Sequence, residues 1–289
     1  MARREAPATI RGVRSEPPDA EPGLAPSIEA KGVRKVFSSR RGEVVALAGI
    51  DISVRSGEFV SIVGPSGSGK STFLYIVGGF VEPTAGTIAV GNELVTRPGP
   101  DRGIVFQEFV LFPWKTVLGN VTYGLAEKGV PRKERQRLAR TYLELVKLTG
   151  FEKHYPKELS GGMKQRLALA RTLIMDPAVL LMDEPFGSID AQTRAVLQKE
   201  LLQIWERTQK TVLFVTHAVD EAIFLSDRIY VFSHRPARVK AVIDVDLPRP
   251  RDPEEILGTQ RYGELHRQIW KLLEEEQVPD QDREGELEH

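Results

Sequence analysis

From Ser27 onward the chain alternates short apolar, β-branched runs with polar breaks rich in glycine and arginine. Order is expected to begin at Ser27-Ile28-Glu29-Ala30, and residues 33–37, 44–47 and 50–54 are predicted as strands. Residues 58–63 form a short apolar run that reads as a buried strand, and residues 72–77 continue as a helix after a glycine-rich turn. Residues 86–90 and 102–106 are further strands. Between about Phe109 and Asp176 the pattern turns helical, punctuated by Pro113, Pro131 and Pro156. The β/α alternation then returns. Residues 178–182 are continuously apolar, as in a parallel strand buried on both faces. Residues 191–209 carry Leu197, Leu201, Ile204 and Trp205 on one helical stripe. Strands follow at 211–216 and 228–232, Pro248-Arg249-Pro250-Arg251 breaks the pattern, and a last helix sets Leu265, Ile269, Leu272 and Leu273 on one side. Residues 1–26, rich in Ala, Pro, Glu and Arg with no apolar period, read as a disordered tail. The sum is an α/β core with a helical insertion and an N-terminal β layer. The expected domains are the tail at 1–26, one domain at 27–250 with its helical part at about 109–176, and a C-terminal helical tail at 251–289.

A chain of 289 residues can bury a large core, as one big domain or one with subdomains and tails. Its 40 basic and 40 acidic residues cancel, so no overall field draws it to nucleic acid, and no nucleic-acid partner is expected. The absence of cysteine excludes disulfides, thiolate zinc sites and iron–sulfur clusters, and fits a reducing compartment. No apolar run approaches the length of a bilayer span, and the arginine-bearing N-terminus lacks the apolar stretch of a secretory signal.

Chemistry concentrates in three places. Gly64-Pro65-Ser66-Gly67-Ser68-Gly69-Lys70-Ser71 is a complete G-x-x-x-x-G-K-[ST] loop set between a strand and a helix. A chain of this length would show the bare pattern by accident roughly one time in a hundred. Its glycines let backbone N–H groups point inward, and the helix dipole adds partial positive charge. Lys70 is placed to reach the β- and γ-phosphates of a nucleoside triphosphate, and the Ser71 hydroxyl to help hold Mg²⁺. Second, the strand ending in Asp183-Glu184 delivers two acids to the edge where open α/β sheets bind ligands. Asp183 suits Mg²⁺, and Glu184 suits a proton acceptor that orients the attacking water. Third, Leu159-Ser160-Gly161-Gly162-Met163-Lys164-Gln165-Arg166 opens another helix. A capped helix accounts for Ser160 but not for two glycines, each costly near a helix start. Such a turn reads as a second anion trap and suggests a site shared between two subunits.

The segment 159–166 resembles the signature of the ATP-binding cassette (ABC) family, and the family's other motifs follow in order over residues 28–235. They are an aromatic at Phe37, the phosphate loop, Gln107, the Asp183-Glu184 pair, the loop Gly187-Ser188-Ile189-Asp190 and His217. The resemblance implies a P-loop NTPase core with an N-terminal antiparallel β subdomain and an inserted α-helical subdomain. It implies that ATP and Mg²⁺ are bound, with residues Gly64 to Thr72 cradling phosphate and Ser71, Gln107 and Asp183 on the metal side. Phe37 would stack on adenine; the family more often has Tyr there, so only the stacking carries over. Glu184, Lys70, Gln107 and His217 would carry hydrolysis, His217 by hydrogen-bonding the γ-phosphate. Ser160, Gly161 and Gly162 would meet the phosphate held by a second copy, with Asp190 linking the two sites of a homodimer.

Phe112-Pro113-Trp114-Lys115-Thr116-Val117-Leu118-Gly119-Asn120-Val121 and the late run from His234 to Arg251 are similar to importer ATPases for nitrate, sulfonates and taurine. Part of the apolar cluster at 109–121 is expected to form a groove for a membrane partner's helix. The implied protein is the ATPase subunit of a bacterial importer, peripheral on the cytoplasmic face of the cell membrane. Its partners would be integral-membrane permease subunits and, indirectly, an extracytoplasmic solute-binding protein. The competing reading is an ABC ATPase of DNA repair or translation, but such proteins normally carry a long coiled-coil insertion or two cassettes, and this chain has neither. A P-loop GTPase would need an Asn-Lys-x-Asp motif, and neither Asn92 nor Asn120 precedes a lysine.

Overall fold

The β-branched runs pair into two sheets in the computed structural model, which describes residues 13–14, 27–39 and 42–275. In chain order the first elements are β1 (Val13–Arg14), β2 (Ile28–Ser39), β3 (Gly42–Val54), β4 (Phe59–Val63), α1 (Lys70–Val77), β5 (Ala85–Val90), β6 (Glu93–Leu94) and β7 (Arg102–Val105). The helical insertion supplies α2 (Val117–Glu127), α3 (Arg132–Leu145) and α4 (Gly161–Leu173). The chain then runs through β8 (Val179–Asp183), α5 (Ala191–Thr208), β9 (Thr211–Val215), α6 (Val219–Leu225), β10 (Arg228–Phe232) and β11 (Val239–Asp244), and ends with α7 (Pro253–Ile256) and α8 (Gln260–Glu274).

One sheet has the order β1-β11-β10-β4-β9-β8-β7, parallel from β7 through β10 and antiparallel at β11 and β1. The other is antiparallel, β3-β2-β5-β6. Every residue of β4, β8, β9 and β10 is buried, which is why these strands read as largely apolar runs. In β4 the faces divide by the period of two: Phe59 and Val63 join a core with the helices, whereas Val60 and Ile62 join one with α1 and the antiparallel sheet. Helix α1, and the phosphate loop before it, are thus held between the two sheets.

Several boundaries differ from the sequence expectation for physical reasons. Residues 44–47 and 50–54 belong to one strand, because Gly49 at φ 86° lets β3 bulge and continue: Val33 pairs with Ile50 and Arg34 with Ala48. Val13 and Arg14, expected within a disordered tail, pair with Ile243 and Val242 and extend β11 by an antiparallel strand. The rest of that tail lies outside the described residues. Strands β6 and β11 and helix α6 were not anticipated. They are short, and α6 is buried at nearly every position, so it shows no amphipathic period.

The segment at 248–251 does not leave the core. Arg249 donates to Asp227 Oδ1 at 2.8 and 3.0 Å and to Leu225 O at 2.8 Å, with its guanidinium 4.2 Å from the Trp205 ring centre. Arg251 is 5% exposed and donates to the carbonyls of Ile223, Phe224, Ser226, Val245 and Leu247 at 2.7–3.3 Å. It therefore closes the C-terminus of α6, whose last carbonyls have no helical donor. Burial, with Arg249 close by, pulls the Arg251 guanidinium down to about 10. Tyr262, Leu265 and Ile269 of α8 pack into the same helical-side core. A boundary drawn at 250 accordingly passes through packed structure.

Candidate nucleotide-binding site

Strand β4 ends at Val63 and the chain turns through Gly64 to Gly69 before α1 begins. A Cβ on Gly64 would lie 3.0 Å from Phe232 Cβ, and one on Gly69, where φ is 92°, 2.9 Å from Leu47 Cδ2. The loop is therefore wedged between β10 and β3, and both positions demand glycine. Because α1 starts at Lys70, its first N–H groups have no acceptor within the helix and sit at the positive end of its dipole. The Lys70 ammonium is folded onto the loop, donating to Gly64 O at 2.9 Å and Pro65 O at 2.8 Å. It is 5% exposed, and burial holds its pKa below that of a free lysine although Glu184 and Asp183 pull it back up. The fully buried Ser68 hydroxyl has no hydrogen-bond partner. Buried donors converging on one turn, one of them orphaned, fit the oxygens of a polyphosphate.

Beside the loop, β8 brings Asp183 to its C-terminal end, 2% exposed. Ser71 Oγ donates to Asp183 Oδ1 at 2.8 Å, so the structure brings these two expected metal-side residues together. Tyr75, one helical turn beyond Ser71, donates to Asp183 Oδ2 at 2.8 Å. Burial, aided by this carboxylate, pushes the Tyr75 hydroxyl up to about 12. Among the described residues no three His, Cys, Asp or Glu side chains gather as a metal cluster. The Ser71 hydroxyl and the Asp183 carboxylate are hard oxygen donors of the kind that suits Mg²⁺.

Glu184 follows in a left-handed conformation, φ 41°, that only strong local constraints hold in a non-glycine residue. Its N–H donates to Val215 O at 2.9 Å, and its Oε2 lies 2.9 Å from His217 Nδ1. Since a carboxylate only accepts, Nδ1 carries the proton in this pair. A Cβ on Gly187 would be 3.6 Å from Gln107 Nε2 and 3.8 Å from Glu184 Oε2, so the exposed Gln107 and the acid converge at one point. The turn carrying His217 is braced from below. Thr216 Oγ1 donates to Glu221 Oε2 at 2.6 Å and accepts from Ala218 N–H at 3.0 Å, while Gln198 donates to Glu221 Oε1 at 3.0 Å. Sequence reasoning missed both Tyr75 and Glu221. The i, i+4 spacing of Ser71 and Tyr75 puts both hydroxyls on one helical face, but nothing in the chain shows that Asp183 lies opposite them. No local signal marks Glu221, whose acceptors are filled from α5 and from the end of β9.

The remaining candidates lie elsewhere in the chain. Phe37 is 43% exposed on β2, its ring 5.1 Å from Lys35 Nζ, and pairs with Val44 three residues before Leu47, which touches the loop at Gly69. Ser160 is exposed and caps α4, its hydroxyl accepting from Met163 N–H at 3.3 Å. Asp190 caps α5 in the same way, accepting from Thr193 N–H at 3.0 Å. A Cβ on Gly162 would come within 2.7 Å of Thr193 Cγ2, and one on Gly161 within 3.4 Å of Ile189 Cδ1. Gly162 is therefore required by packing of α4 on α5, a reason the sequence reading did not supply. In one chain, then, the phosphate loop, Ser71, Asp183, Glu184 and His217 form one cluster, and Ser160, Gly161, Gly162 and Asp190 another.

A third feature is an aromatic surface on the helical insertion. Trp114 is 71% exposed, and Phe112 packs on it and on Tyr123 with ring centres 5.8 and 4.6 Å away. The buried Asn120 staples this loop: its Oδ1 accepts from Phe112 N–H at 2.8 Å and its Nδ2 faces the carbonyls of Phe112, Lys115 and Thr116 at 3.0–3.1 Å. Arg171 donates to Val110 O at 2.7 Å from the other side.

The family model described as ABC transporter matches residues 47–187. The nitrate import ATP-binding protein NrtD of Synechocystis sp. is 50% identical over 76% of this chain and 83% of its own length. The aliphatic sulfonates import ATP-binding protein SsuB of Bacillus cereus is 43% identical over 86% of this chain and 96% of its own. Among solved structures, the dimeric bacterial ABC transporter cassette MJ0796 superposes with a TM-score of 0.68 at 34% identity, covering 76% of this chain and all of that one. A second structure of it, a post-hydrolysis dimer bound to ADP and Pi, gives 0.66 at 33% identity over the same share of this chain.

Proposed function

The chain belongs to the ABC transporter family, and we propose that it is the ATP-hydrolysing subunit of an importer for nitrate, a sulfonate, taurine or a similar small anion. One observation carries the enzymatic part. The C-terminal ends of β4, β8 and β9 bring a phosphate-binding loop, a carboxylate joined to the loop's serine, and a second carboxylate joined to a histidine into one place. In this reading the loop N–H groups and Lys70 bind the β- and γ-phosphates, exchanging the carbonyls that Lys70 now holds for phosphate oxygens. Ser71, Asp183 and Gln107 would hold Mg²⁺, which when bound would supply positive charge beside the β- and γ-phosphates. Glu184 accepts the proton of the attacking water, and His217 fixes the orientation of that carboxylate through Nδ1. For His217 to donate to the γ-phosphate from Nε2 as well, the ring must be imidazolium or must exchange partners. Ser160 and Gly162 of a second copy complete the phosphate's surroundings, so that two copies enclose two nucleotides.

The transport part rests on the stapled aromatic surface around Trp114, a rigid apolar patch suited to an apolar helix of a permease. No helix among the described residues is long and apolar enough to cross a membrane. In this reading the chain attaches through permease subunits at the cytoplasmic face, with a solute-binding protein acting from the other side. The anion class comes from the two named importer relatives. In the test, Glu184→Gln with ATP elutes as a dimer from a sizing column and hydrolyses at least a hundredfold more slowly than the unsubstituted protein. A monomer hydrolysing at the normal rate overturns the site. For the solute, the complex reconstituted in vesicles is assayed with binding proteins loaded with nitrate, an alkanesulfonate or taurine, and stimulation by none of them overturns the anion class.

A further inference from the structure

We propose that Tyr75 is a positioning residue of the ATPase centre, its hydroxyl fixing the Asp183 carboxylate while its ring steadies the segment that leads to Gln107. The proposal rests on the nucleotide site described above and adds to it a residue one helical turn further along α1 from Ser71. Ser71 and Tyr75 are four residues apart, so one helix presents two hydroxyls in register along one side. They take different oxygens of the same acid, Ser71 the Oδ1 and Tyr75 the Oδ2, each at 2.8 Å. A carboxylate that is 2% exposed has little water to satisfy it, and it keeps a single orientation when both oxygens are engaged.

The second contact gives Tyr75 its reach. Its ring centre is 6.1 Å from that of Phe106, tilted by 49°, and Phe106 is in turn 6.1 Å from Phe80. Phe106 immediately precedes Gln107 at the end of β7. One side chain thus touches Asp183 with its hydroxyl and the neighbour of Gln107 with its ring, tying two groups expected on the metal side to the helix that follows the phosphate loop. The two roles separate by substitution: Tyr75→Phe keeps the ring and deletes the bond to Asp183, and Tyr75→Leu deletes both.

The experiment measures Mn²⁺ binding to the ATP complex by electron paramagnetic resonance, and ATP binding in EDTA by calorimetry. For Tyr75→Phe the expected result is a loss of about tenfold or more in Mn²⁺ affinity, with metal-free ATP affinity and thermal midpoint within error of the unsubstituted protein. The Mg²⁺ concentration for half-maximal ATPase rises by the same factor, while KM for ATP at saturating Mg²⁺ does not move. Tyr75→Leu is expected to lose metal affinity further. Mn²⁺ affinity of Tyr75→Phe within twofold of the unsubstituted protein overturns the proposal. Failure of the unsubstituted protein to bind ATP in EDTA or Mg²⁺ overturns the nucleotide site itself, which is a separate result.

Discussion

Two acids near His217 show how far environment, rather than residue type, decides chemistry. Glu184 stands at the surface of the site with its carboxylate on His217, whereas Glu221 is 6% exposed and takes its bonds from Thr216 and Gln198. Burial raises the pKa of Glu221 above the usual 4.5, against the lowering influence of Thr216, Arg194, His217 and Gln198. The folded chain therefore binds this proton more tightly than the unfolded chain. That contribution is fully present below the usual carboxylate range and is lost as pH rises through the raised value, so ionised Glu221 costs stability at neutral pH. Glu221→Gln removes the ionisation. The stability of the variant relative to the unsubstituted protein, from urea unfolding, is expected to improve as pH rises above the usual carboxylate value of about 4.3 and to level off once the folded carboxyl is ionised. A flat or falling difference contradicts the assignment. Residues of this kind also mark where the sequence stopped speaking. Lys70, Ser71, Asp183 and Glu184 were legible because each sits in a local pattern whose strand and helix neighbours are adjacent in the chain. Tyr75 acts through Asp183, 108 residues away, and Glu221 is held by Gln198, 23 residues away, as well as by the nearby Thr216, and nothing in the sequence marks these contacts.

At the scale of elements the same division holds. Strands β4, β8, β9 and β10 were legible because both faces are buried, which leaves a largely apolar run that no turn interrupts. Strand β11, helix α6 and the anchoring arginines were not, because Arg251 looks like a solvated loop residue until five carbonyls are seen to surround it. Helix α8 likewise reads as an appendage, yet a cavity of about 200 Å³ joins residues 64–66 and His217 to its Trp270, Leu273 and Glu274. The packing of α4 on α5 offers the cleanest test at this scale. Gly162 faces Thr193 Cγ2 at a distance no Cβ tolerates, so Gly162→Ala is expected to push the helices apart and destabilise by about 1–3 kcal/mol. Thr193→Ser deletes the offending methyl, and in the double variant most of the loss is expected to return. Were the glycine needed only for backbone approach to an anion, alanine within the helix would stabilise by about 1 kcal/mol instead, and Thr193→Ser would change nothing. Chemical denaturation of the four proteins distinguishes the two.

For the whole molecule what matters is that the phosphate loop and the Ser160 turn, both proposed to bind phosphate, sit in separate clusters of one chain, each complete in its own local bonds. Ser160 caps its own helix and Lys70 holds its own loop, so neither turn needs the other to fold. A two-fold dimer that sets the loop of one copy against the Ser160 turn of its partner brings them together twice, with the same surfaces used on both sides. That arrangement has a consequence no single-chain site shares. Lys70→Ala removes the phosphate-binding amine and Ser160→Arg fills the opposing turn, and each variant alone is expected to be inactive, because every site in its homodimer carries the lesion. In a mixture of the two, random pairing makes about half the dimers mixed. In each mixed dimer both lesions fall in one site and the other site is intact. ATPase activity is therefore expected to return on mixing, to about a quarter of the unsubstituted level if the sites turn over independently. If loop and turn instead served the same nucleotide within one chain, every chain in the mixture would still be defective, and the rate would stay at background whatever the ratio.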